Sequence, residues 1–320
     1  MDIEYLLLLQ NFREATGNVL SPALEWLSDF MVDTWPFALM FFIYWALDRK
    51  SGRLIIAGHV LGLFANGFLK LVFCVYRPWI RDARVVPYGN AMTGATGYSF
   101  PSGHSTWATA IFGGIGVWQR KRNRAIAALF FVLAAIVLFS RNYLGVHTPQ
   151  DVLVGCLSTV LMMWIVYKIE AWTDADPSRD LPVLIAGIVI GVAATAFYFL
   201  KPYPLDYLAD GSLLVDPAKM RMDSLQGTGY FVAYAIARYF ERRGFAFDEE
   251  TSRRSRILFG LVAASPLFAW FTLAKQLIVA TLGSYVWCFA SLAVPIFYGL
   301  LLIPTLMRLL PRTLADADLA

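Results

Sequence analysis

Long apolar stretches alternate with short polar ones along most of the chain. Nine of these stretches are apolar enough to be interpreted as membrane-spanning helices, although several fall short of the about 20 residues that a straight crossing needs. The weakest, 224–241, contains Gln226 and Arg238 and is also compatible with a partly buried helix. The pattern predicts an all-α, polytopic membrane helix bundle within residues 32–307. The predicted spans are 32–48, 53–76, 103–119, 124–140, 150–169, 181–200, 224–241, 256–275 and 284–307.

The segment that precedes the first predicted span is amphipathic. Between residues 3 and 25, apolar side chains such as Leu9 and Phe12 alternate with polar ones such as Gln10 and Arg13. We therefore expect residues 1–31 to contain an interfacial helix that lies on the membrane surface. A helix that simply packs against the bundle is an equally good interpretation of the same pattern.

Composition supports the membrane assignment and excludes some partners. The chain is 58% hydrophobic and 16% charged, with a mean hydropathy of +0.57, whereas soluble proteins carry about 25% charged residues. The net charge of +4 is too small to suggest a nucleic-acid partner. The three cysteines are isolated, without a C-x-x-C pair or zinc-type spacing, and we expect no metal site and no cofactor.

Lysines and arginines concentrate in the loops on one side of the predicted bundle, which are 49–53, 120–124, 168–179, 238–256 and 308–312. By the positive-inside rule this side is cytoplasmic. The N-terminus is then outside, and residues 308–320 form a cytoplasmic tail. The opposite face holds the connections 77–102, 141–149 and 201–223 and a short turn near Lys275.

The first chemical motif, Lys70-x6-Arg77-Pro78, closes the second predicted span. Seven residues are about two helical turns, so Lys70 and Arg77 can lie on one face of the helix. A lysine within the apolar run LFANGFLKLVFCVY is costly in a membrane. Extension of its side chain to the interface is the alternative explanation.

The second motif, Pro101-Ser102-Gly103-His104, opens the third predicted span. Ser102 is a good N-cap residue, and Gly103 lets an oxyanion approach the backbone closely. Unpaired N–H groups and the helix dipole make such a helix start a ready anion site. An ordinary Pro-Ser-Gly turn followed by an interfacial histidine is the alternative.

The third motif, Ser140-Arg141-x5-His147-x3-Asp151, precedes the fifth predicted span. Thr148, followed by proline, is expected to cap that helix. Asp151 then falls in the first turn, where it acts either as a capping carboxylate or as the acid that orients His147. An acid that holds one imidazole nitrogen leaves the other free to attack.

The three motifs together place three cations, two histidines and one acid at the outer ends of spans. Chance placement of all six on one face of the bundle is improbable, which favours a single site for an oxyanion. Of the three histidines in the chain, only His59 lies outside this set. It falls in the middle of a span, and we interpret it as a structural polar residue, with a role in helix–helix contact as the less favoured alternative.

With these residues, the sequence resembles the type-2 phosphatidic acid phosphatase superfamily, which also includes vanadium haloperoxidases. The family pattern of K-x6-RP, PSGH and SR-x5-H-x3-D matches KLVFCVYRP, PSGH and SRNYLGVHTPQD without a departure. The motif region covers residues 70–151. The nine-span arrangement with an outside N-terminus is similar to glucose-6-phosphatase and sphingoid-phosphate phosphatases, a less specific likeness.

The resemblance implies a phosphatase that needs no metal. His147 would attack phosphorus to form a phosphohistidine, Asp151 would orient His147, and His104 would protonate the leaving oxygen and then activate water. A cationic cradle would bind the phosphoryl oxygens. Its members would be Lys70, Arg77, Ser102, Gly103 and Arg141.

A site at the membrane interface favours a lipid phosphate substrate, such as a phosphatidate, a sphingoid phosphate or a polyprenyl (pyro)phosphate. A sugar-phosphate phosphatase, a phosphotransferase, a haloperoxidase and a transporter remain alternatives. The outside connection 201–223 is either a lid over the site or a plain connector. We expect the protein in a bacterial inner membrane, with the active site facing the periplasm.

Overall fold

The computed structural model describes residues 2–92, 95, 97–208, 210–245 and 253–309 of the 320-residue chain. Within these ranges the secondary structure is almost entirely helical, and one antiparallel bridge, Tyr207 with Leu213, closes a loop. The helices are α1 Asp2–Ala15, α2 Ser21–Phe30, α3 Thr34–Phe42, α4 Arg49–Phe73, α5 Pro78–Arg81, α6 Gly103–Ala108, α7 Gly114–Gln119, α8 Arg124–Tyr143, α9 Pro149–Ala175, α10 Asp180–Leu200, α11 Pro217–Phe240, α12 Arg253–Ala269, α13 Lys275–Leu282, α14 Ser284–Phe297 and α15 Ile303–Met307.

A π-helical turn follows several of these helices directly, and it either ends the helix or joins it to the next one. Such turns extend α3 and α11 and join α6 to α7, α12 to α13 and α14 to α15. They are Ile43–Leu47, Thr109–Gly113, Glu241–Phe245, Trp270–Ala274 and Tyr298–Leu302. The helix that follows the second motif is therefore continuous from Gly103 to Gln119, because the π turn bridges its two α-helical parts.

Helix α4 is central, because it packs against both α9 and α11, and α11 packs in turn on α10 and α14. Glycines permit the close contact of α4 with α11. A Cβ atom on Gly67 would lie 3.2 Å from the Cα of Ser224, and one on Gly227 would lie 3.1 Å from the carbonyl oxygen of Leu63. Small residues at helix contacts are typical of membrane bundles.

His59 lies within this helix contact, as predicted for a structural polar residue. Its side chain is fully buried, and Nδ1 lies 3.0 Å from the hydroxyl of Tyr230 on α11. Its ring packs edge-on against Trp107, with centroids 4.4 Å apart. The remaining histidine of the chain is thus part of the core and not of the oxyanion site.

Among the residues that the structure describes, six helical segments are long and apolar enough to cross a membrane, which confirms the all-α membrane class. Helix α2 and the helix Thr34–Leu47 are bent by 47° and would together form a seventh crossing. The count of nine spans is not confirmed. The six segments are Arg49–Arg81, Arg124–Tyr143, Pro149–Ala175, Pro177–Leu200, Arg253–Leu282 and Ser284–Met307.

The remaining two predicted spans differ from a simple crossing for separate reasons. The helix of the third predicted span, from Gly103 to Gln119, is shorter than the about 20 residues of a straight crossing. Helix α11 begins at Pro217 and not near residue 224, because Asp216 caps it by accepting a hydrogen bond from the Ala218 N–H at 2.8 Å. Its added first turns are polar, which lowers the hydropathy of the whole helix.

The N-terminal segment forms two helices, where the sequence predicted one. Helices α1 and α2 both pack on α8, and the turn between them contains Gly17 and Asn18 with positive φ. Arg13 anchors α1 by donating to the carbonyl oxygens of Tyr143 at 3.1 Å and Val86 at 2.7 Å. The alternative of a helix that packs against the bundle therefore describes part of this segment. The predicted tail, 308–320, falls almost wholly outside the described residues.

An ion-pair network lies at the N-terminal end of α4, the end opposite Lys70. Glu241 accepts hydrogen bonds from Arg49 at 2.6 Å and from the Tyr44 hydroxyl at 2.9 Å. Arg238 donates to Glu170 at 2.5 Å. These buried charges satisfy one another, as buried ions must, so this end of the bundle holds paired charges.

Candidate active site

Lys70 lies in the last turn of α4 and holds the loop that carries the second motif. Its ammonium donates to the backbone carbonyl oxygens of Pro101 at 2.8 Å, Tyr98 at 3.1 Å and Ser99 at 3.3 Å. Three carbonyls satisfy the three donors of an ammonium. Lys70 lies within an apolar run, where a charge is costly in a membrane, but its ammonium group thus contacts the polar loop at the end of its helix.

The second motif folds as predicted, with Ser102 as the N-cap of α6. Its hydroxyl accepts from the Ser105 N–H at 3.3 Å, and its own N–H donates to the carbonyl oxygen of Asp151 at 2.9 Å. A Cβ atom on Gly103 would have no neighbour closer than Asn66 Oδ1, 4.0 Å away. The space beside Gly103 is therefore open to an oxyanion at the start of a helix.

Gly155 on α9 brings that helix close to the second motif. A Cβ atom at this position would lie 2.7 Å from the carbonyl oxygen of Ser102 and 3.2 Å from the Cβ of Ser105. No larger residue fits without movement of backbone. The absence of a side chain at Gly155 thus sets the distance between the second and third motifs.

The third motif is a tight turn between α8 and α9. The N–H groups of Val146 and His147 both donate to the carbonyl oxygen of Arg141, at 3.1 and 3.2 Å. Gly145 takes a φ of +77°, which favours glycine. The Asn142 side chain donates to the His147 carbonyl oxygen at 2.9 Å. The turn therefore fixes His147 directly beneath the end of α8.

Asp151 caps α9 and also contacts His147, so its position is compatible with both of the roles that the sequence left open. Its Oδ2 atom accepts from the Thr148 N–H at 2.8 Å, and Thr148 caps α9 in return. The same oxygen accepts from the Ser99 hydroxyl at 2.5 Å and lies 3.4 Å from His147 Nδ1. His147 is 2% exposed, so water contributes little to its orientation. One carboxylate oxygen thus caps the helix and faces the imidazole.

The contacts of His147 determine which ring nitrogen carries the proton. Nε2 lies 2.9 Å from the Nη1 atom of Arg77, and a guanidinium can only donate. Nε2 is therefore the acceptor, and the proton lies on Nδ1, facing Asp151 and Ser99. Burial, together with the positive charge of Arg77, holds the pKa of His147 well below its usual value. The ring is neutral at pH 7, with its lone pair on Nε2.

The two arginines reach the site from separate elements. Arg77, after α4, donates to the carbonyl oxygens of Gly97 at 3.2 Å and Val146 at 3.1 Å. Arg141, in the last turn of α8, donates to the Ser28 hydroxyl at 2.7 Å. Among the residues that the structure describes, the Arg141 Nε–H has no acceptor. A buried donor without an acceptor is available to a bound oxyanion.

Like charges lie close together at this site. Arg77 interacts electrostatically with Arg141, and Lys70 with Arg77. The two guanidiniums are buried, at 5% and 2% exposure. Buried cations that face one another destabilise the protein unless anions balance them. Asp151 interacts with Lys70 and Arg77, and Asp29 and Glu25 interact with Arg141, so the protein's own carboxylates supply part of this balance. The donors that remain directed at the site favour the binding of an anion.

His104, the second residue of α6, completes the set. It interacts electrostatically with Arg77 and Arg141, and its Nε2 atom lies 3.7 Å from Asp29 Oδ1. All eight predicted site residues are thus brought together at one end of the bundle, while their chemical roles stay predictions. Within the described ranges, no three His, Cys, Asp or Glu side chains converge as a metal-binding group would.

Four polar residues of the site were missed by the sequence interpretation. They are Ser28, Asp29, Asn66 and Ser99. Asn66 lies one helical turn before Lys70 and donates to the carbonyl oxygen of Pro101 at 3.2 Å. The sequence could have indicated Asn66, because it is a polar residue on the Lys70 face of an apolar helix. The other three lie in segments whose packing only the fold reveals.

A cavity of 360 Å³ begins at Lys70 and Asn66 and extends between helices of the bundle. Its lining is mixed. The polar and charged residues are Asp33, Thr34, Asn66, Lys70, Asp223, Ser224 and Gln226, and the apolar ones include Phe37, Leu63, Trp107, Phe271 and Leu292. The cavity therefore adjoins a cationic residue of the site and offers both polar and apolar contacts.

Comparison with known proteins finds a family model that matches the part of the chain that contains the site. Residues 51–174 match the model of the PAP2 superfamily. The matched segment begins in the first turn of α4 and ends near the end of α9, so it includes all eight predicted site residues. No solved structure shows significant similarity to the chain.

Several curated proteins show similarity to part of the chain. Human sphingosine-1-phosphate phosphatase 2 is 31% identical over 171 residues, 52% of this chain and 41% of that protein. Phosphatidylglycerophosphatase B of Escherichia coli strain K12 is 37% identical over 81 residues, 24% of this chain and 29% of that protein. Undecaprenyl-diphosphatase of Bacillus subtilis is 27% identical over 160 residues, 48% of this chain and 77% of that protein. The chain thus spans less than half the length of the first two relatives.

Proposed function

Because residues 51–174 form a PAP2 superfamily domain, we propose that the protein is a membrane phosphohydrolase that cleaves lipid phosphate esters through a phosphohistidine. The observation that carries the proposal is the state of His147. Its Nε2 lone pair faces Arg77, in the cationic pocket, and its Nδ1–H faces Asp151. A neutral, oriented imidazole beside an oxyanion site is the arrangement that nucleophilic attack on phosphorus requires.

In the first step, the phosphate displaces the contact between Arg77 and His147. The Nε2 lone pair then forms a bond to phosphorus as the bond from phosphorus to the ester oxygen breaks. His104 gives a proton to that oxygen, and an alcohol leaves. Asp151 stabilises the positive charge that develops on the ring of His147.

In the second step, water attacks the phosphohistidine and the bond from phosphorus to nitrogen breaks. His104, now neutral, takes the proton from water and returns to its starting form. Inorganic phosphate leaves the cationic cradle. Its members are Lys70, Arg77, Ser102, Gly103 and Arg141, which neutralise the charge on the phosphoryl oxygens in both steps.

The place of the site at the end of a bundle of apolar helices supports a lipid substrate over a soluble sugar phosphate. Names of similar proteins point the same way, since they refer to sphingosine 1-phosphate, phosphatidylglycerophosphate and undecaprenyl diphosphate. The cavity that starts at Lys70 is compatible with either substrate, because Asp33, Asp223 and Gln226 line it together with apolar side chains from α3, α4 and α14.

The proposed topology has nine spans, an outside N-terminus and a cytoplasmic C-terminus. The helices of residues 34–47, 103–119 and 217–240 would complete the six segments by crossing at an angle or with polar faces turned inward. Basic loops then lie on the cytoplasmic side, and the active site faces outside. In a bacterial inner membrane that side is the periplasm.

The test is phosphate release by purified protein in detergent. Wild-type protein is expected to cleave a panel of lipid phosphates faster than glucose 6-phosphate, with and without EDTA. The His147→Ala variant should unfold at the same temperature as wild type and release no phosphate. A preference for the sugar phosphate would refute the lipid assignment, and full activity of the variant would refute the role of His147.

A further inference from the structure

Helix α2 lies outside the segment that matches the PAP2 superfamily, 51–174, yet it reaches the site. Its residues Glu25, Ser28 and Asp29 are spaced i, i+3 and i+4, so they share one face of the helix. Ser28 is fully buried, and its hydroxyl accepts from Arg141 Nη1 at 2.7 Å. Asp29 and Glu25 both interact electrostatically with Arg141. This face of α2 is therefore directed at the phosphate-binding end of the bundle.

Asp29 is the acidic group beside His104. Its Oδ1 atom lies 3.7 Å from His104 Nε2, which has no hydrogen-bond partner within the described residues. Burial opposes protonation of the imidazole most, and the positive charges of Arg141 and Arg77, the other charged groups that face His104, add to this effect. Asp29 favours protonation and offsets part of it. Asp29 is therefore the side chain on this face that assists His104 in taking up a proton.

We propose that α2 completes the active site, with Asp29 positioning His104 and favouring its action as the general acid, and Ser28 positioning Arg141 on the phosphoryl oxygens. The proposal rests on the proposed phosphatase function. Proton donation matters for the first step only when the leaving alcohol is a poor leaving group. The two α2 residues thus act on separate parts of the reaction and give separate kinetic signatures.

The Asp29 contribution is modest, because its side chain is 66% exposed and water screens its charge. A positioned general acid contributes about 10²–10⁴-fold to a rate, and we expect loss of the Asp29 charge to remove about tenfold of it. Ser28 is buried against a guanidinium, where loss of a hydrogen bond to a charged group also costs about tenfold in rate.

The experiment compares an alkyl phosphate, whose alcohol must be protonated to leave, with p-nitrophenyl phosphate, whose phenolate leaves without a proton. Asp29→Asn should lower the single-turnover rate of phosphohistidine formation from the alkyl phosphate about tenfold and leave the corresponding rate from p-nitrophenyl phosphate within about twofold. Ser28→Ala should lower both to the same extent. Glu14→Gln, an exposed charge loss on α1, serves as the control and should change neither.

A double variant separates positioning from a structural effect. In a His104→Ala background, Asp29→Asn should cause no further loss with the alkyl phosphate, because the group on which it acts is gone. Equal losses for both substrates in Asp29→Asn, or no loss in either, would overturn the role of Asp29. Unchanged kinetics in Ser28→Ala would overturn the role of Ser28. A wild-type protein that cleaves neither substrate would refute the proposed function itself.

Discussion

The substitution Gly155→Ala tests whether the distance between the second and third motifs controls activity. The new Cβ would lie 2.7 Å from the carbonyl oxygen of Ser102, whereas ordinary van der Waals contacts begin at 3.4 Å. Helix α9 and the turn around Ser102 must therefore separate by about 0.7 Å. Rotation of a side chain cannot relieve this contact, because the nearest atom is the backbone carbonyl oxygen of Ser102, which also accepts from the Thr106 N–H.

This displacement moves the phosphate cradle away from the nucleophile. Ser102 and Gly103 lie on one side of the contact, and His147 and Asp151 on the other, near the start of α9. A misplacement of about 1 Å costs about 10²-fold in rate, so we expect kcat/KM to fall between about tenfold and about 10²-fold. Overpacking should also lower the free energy of unfolding by about 1–3 kcal/mol.

The matched control is Gly187→Ala, where α10 meets α11. There the new Cβ would lie 2.8 Å from the Cβ of Ala235, a contact as tight as that at Gly155 but in helices without motif residues. We expect the same destabilisation with activity within about twofold of wild type. Phosphate release and thermal unfolding in detergent measure both effects. Equal kcat/KM in the two variants would refute the claim that Gly155 sets the active-site geometry.

Two further predictions concern His147. Ser99→Ala removes the hydroxyl that donates to Asp151 Oδ2 at 2.5 Å. Because the carboxylate loses one of its hydrogen-bond partners, kcat should fall about tenfold. An unchanged kcat would show that Ser99 is not needed to orient the carboxylate. The second prediction follows from the lowered pKa of His147, because the free enzyme then loses its neutral nucleophile only below the usual value of 6.5. After correction for substrate ionisation, kcat/KM should therefore begin to fall with decreasing pH only below pH 6.5. A fall that begins above that value would contradict the argument from burial.

The sequence predicted the site more fully than the fold. Lys70, Arg77, Arg141 and the two histidines were assigned to one face from motif spacing alone, and their side chains do converge. This worked because charged groups in an apolar chain have few tolerable positions, and the ends of helices are among them. Capping by Ser102 and by Thr148 with Asp151 followed from local chemistry, which sequence reveals directly.

Features that depend on packing between distant segments were not predictable in the same way. Ser28 and Asp29 lie in a segment whose pattern suggested a membrane-surface helix, and only its packing on α8 brings them to Arg141 and His104. Gly155 lies within an apolar run, where a small residue is ordinary. The start of α11 at Pro217 was missed because its first turns are polar, although Asp216 and Pro217 form a recognisable helix start.

The central claim is covalent transfer of phosphate to His147, and trapping the intermediate tests it most directly. In His104→Ala, p-nitrophenyl phosphate can still form the intermediate, but no base activates water, so the phosphoenzyme should accumulate. Rapid quenching in alkali followed by peptide mass spectrometry should then find phosphate on His147, as an acid-labile adduct that is absent from His104→Ala/His147→Ala. Phosphate on another residue, or steady turnover by His147→Ala with no adduct at any time, would contradict the mechanism.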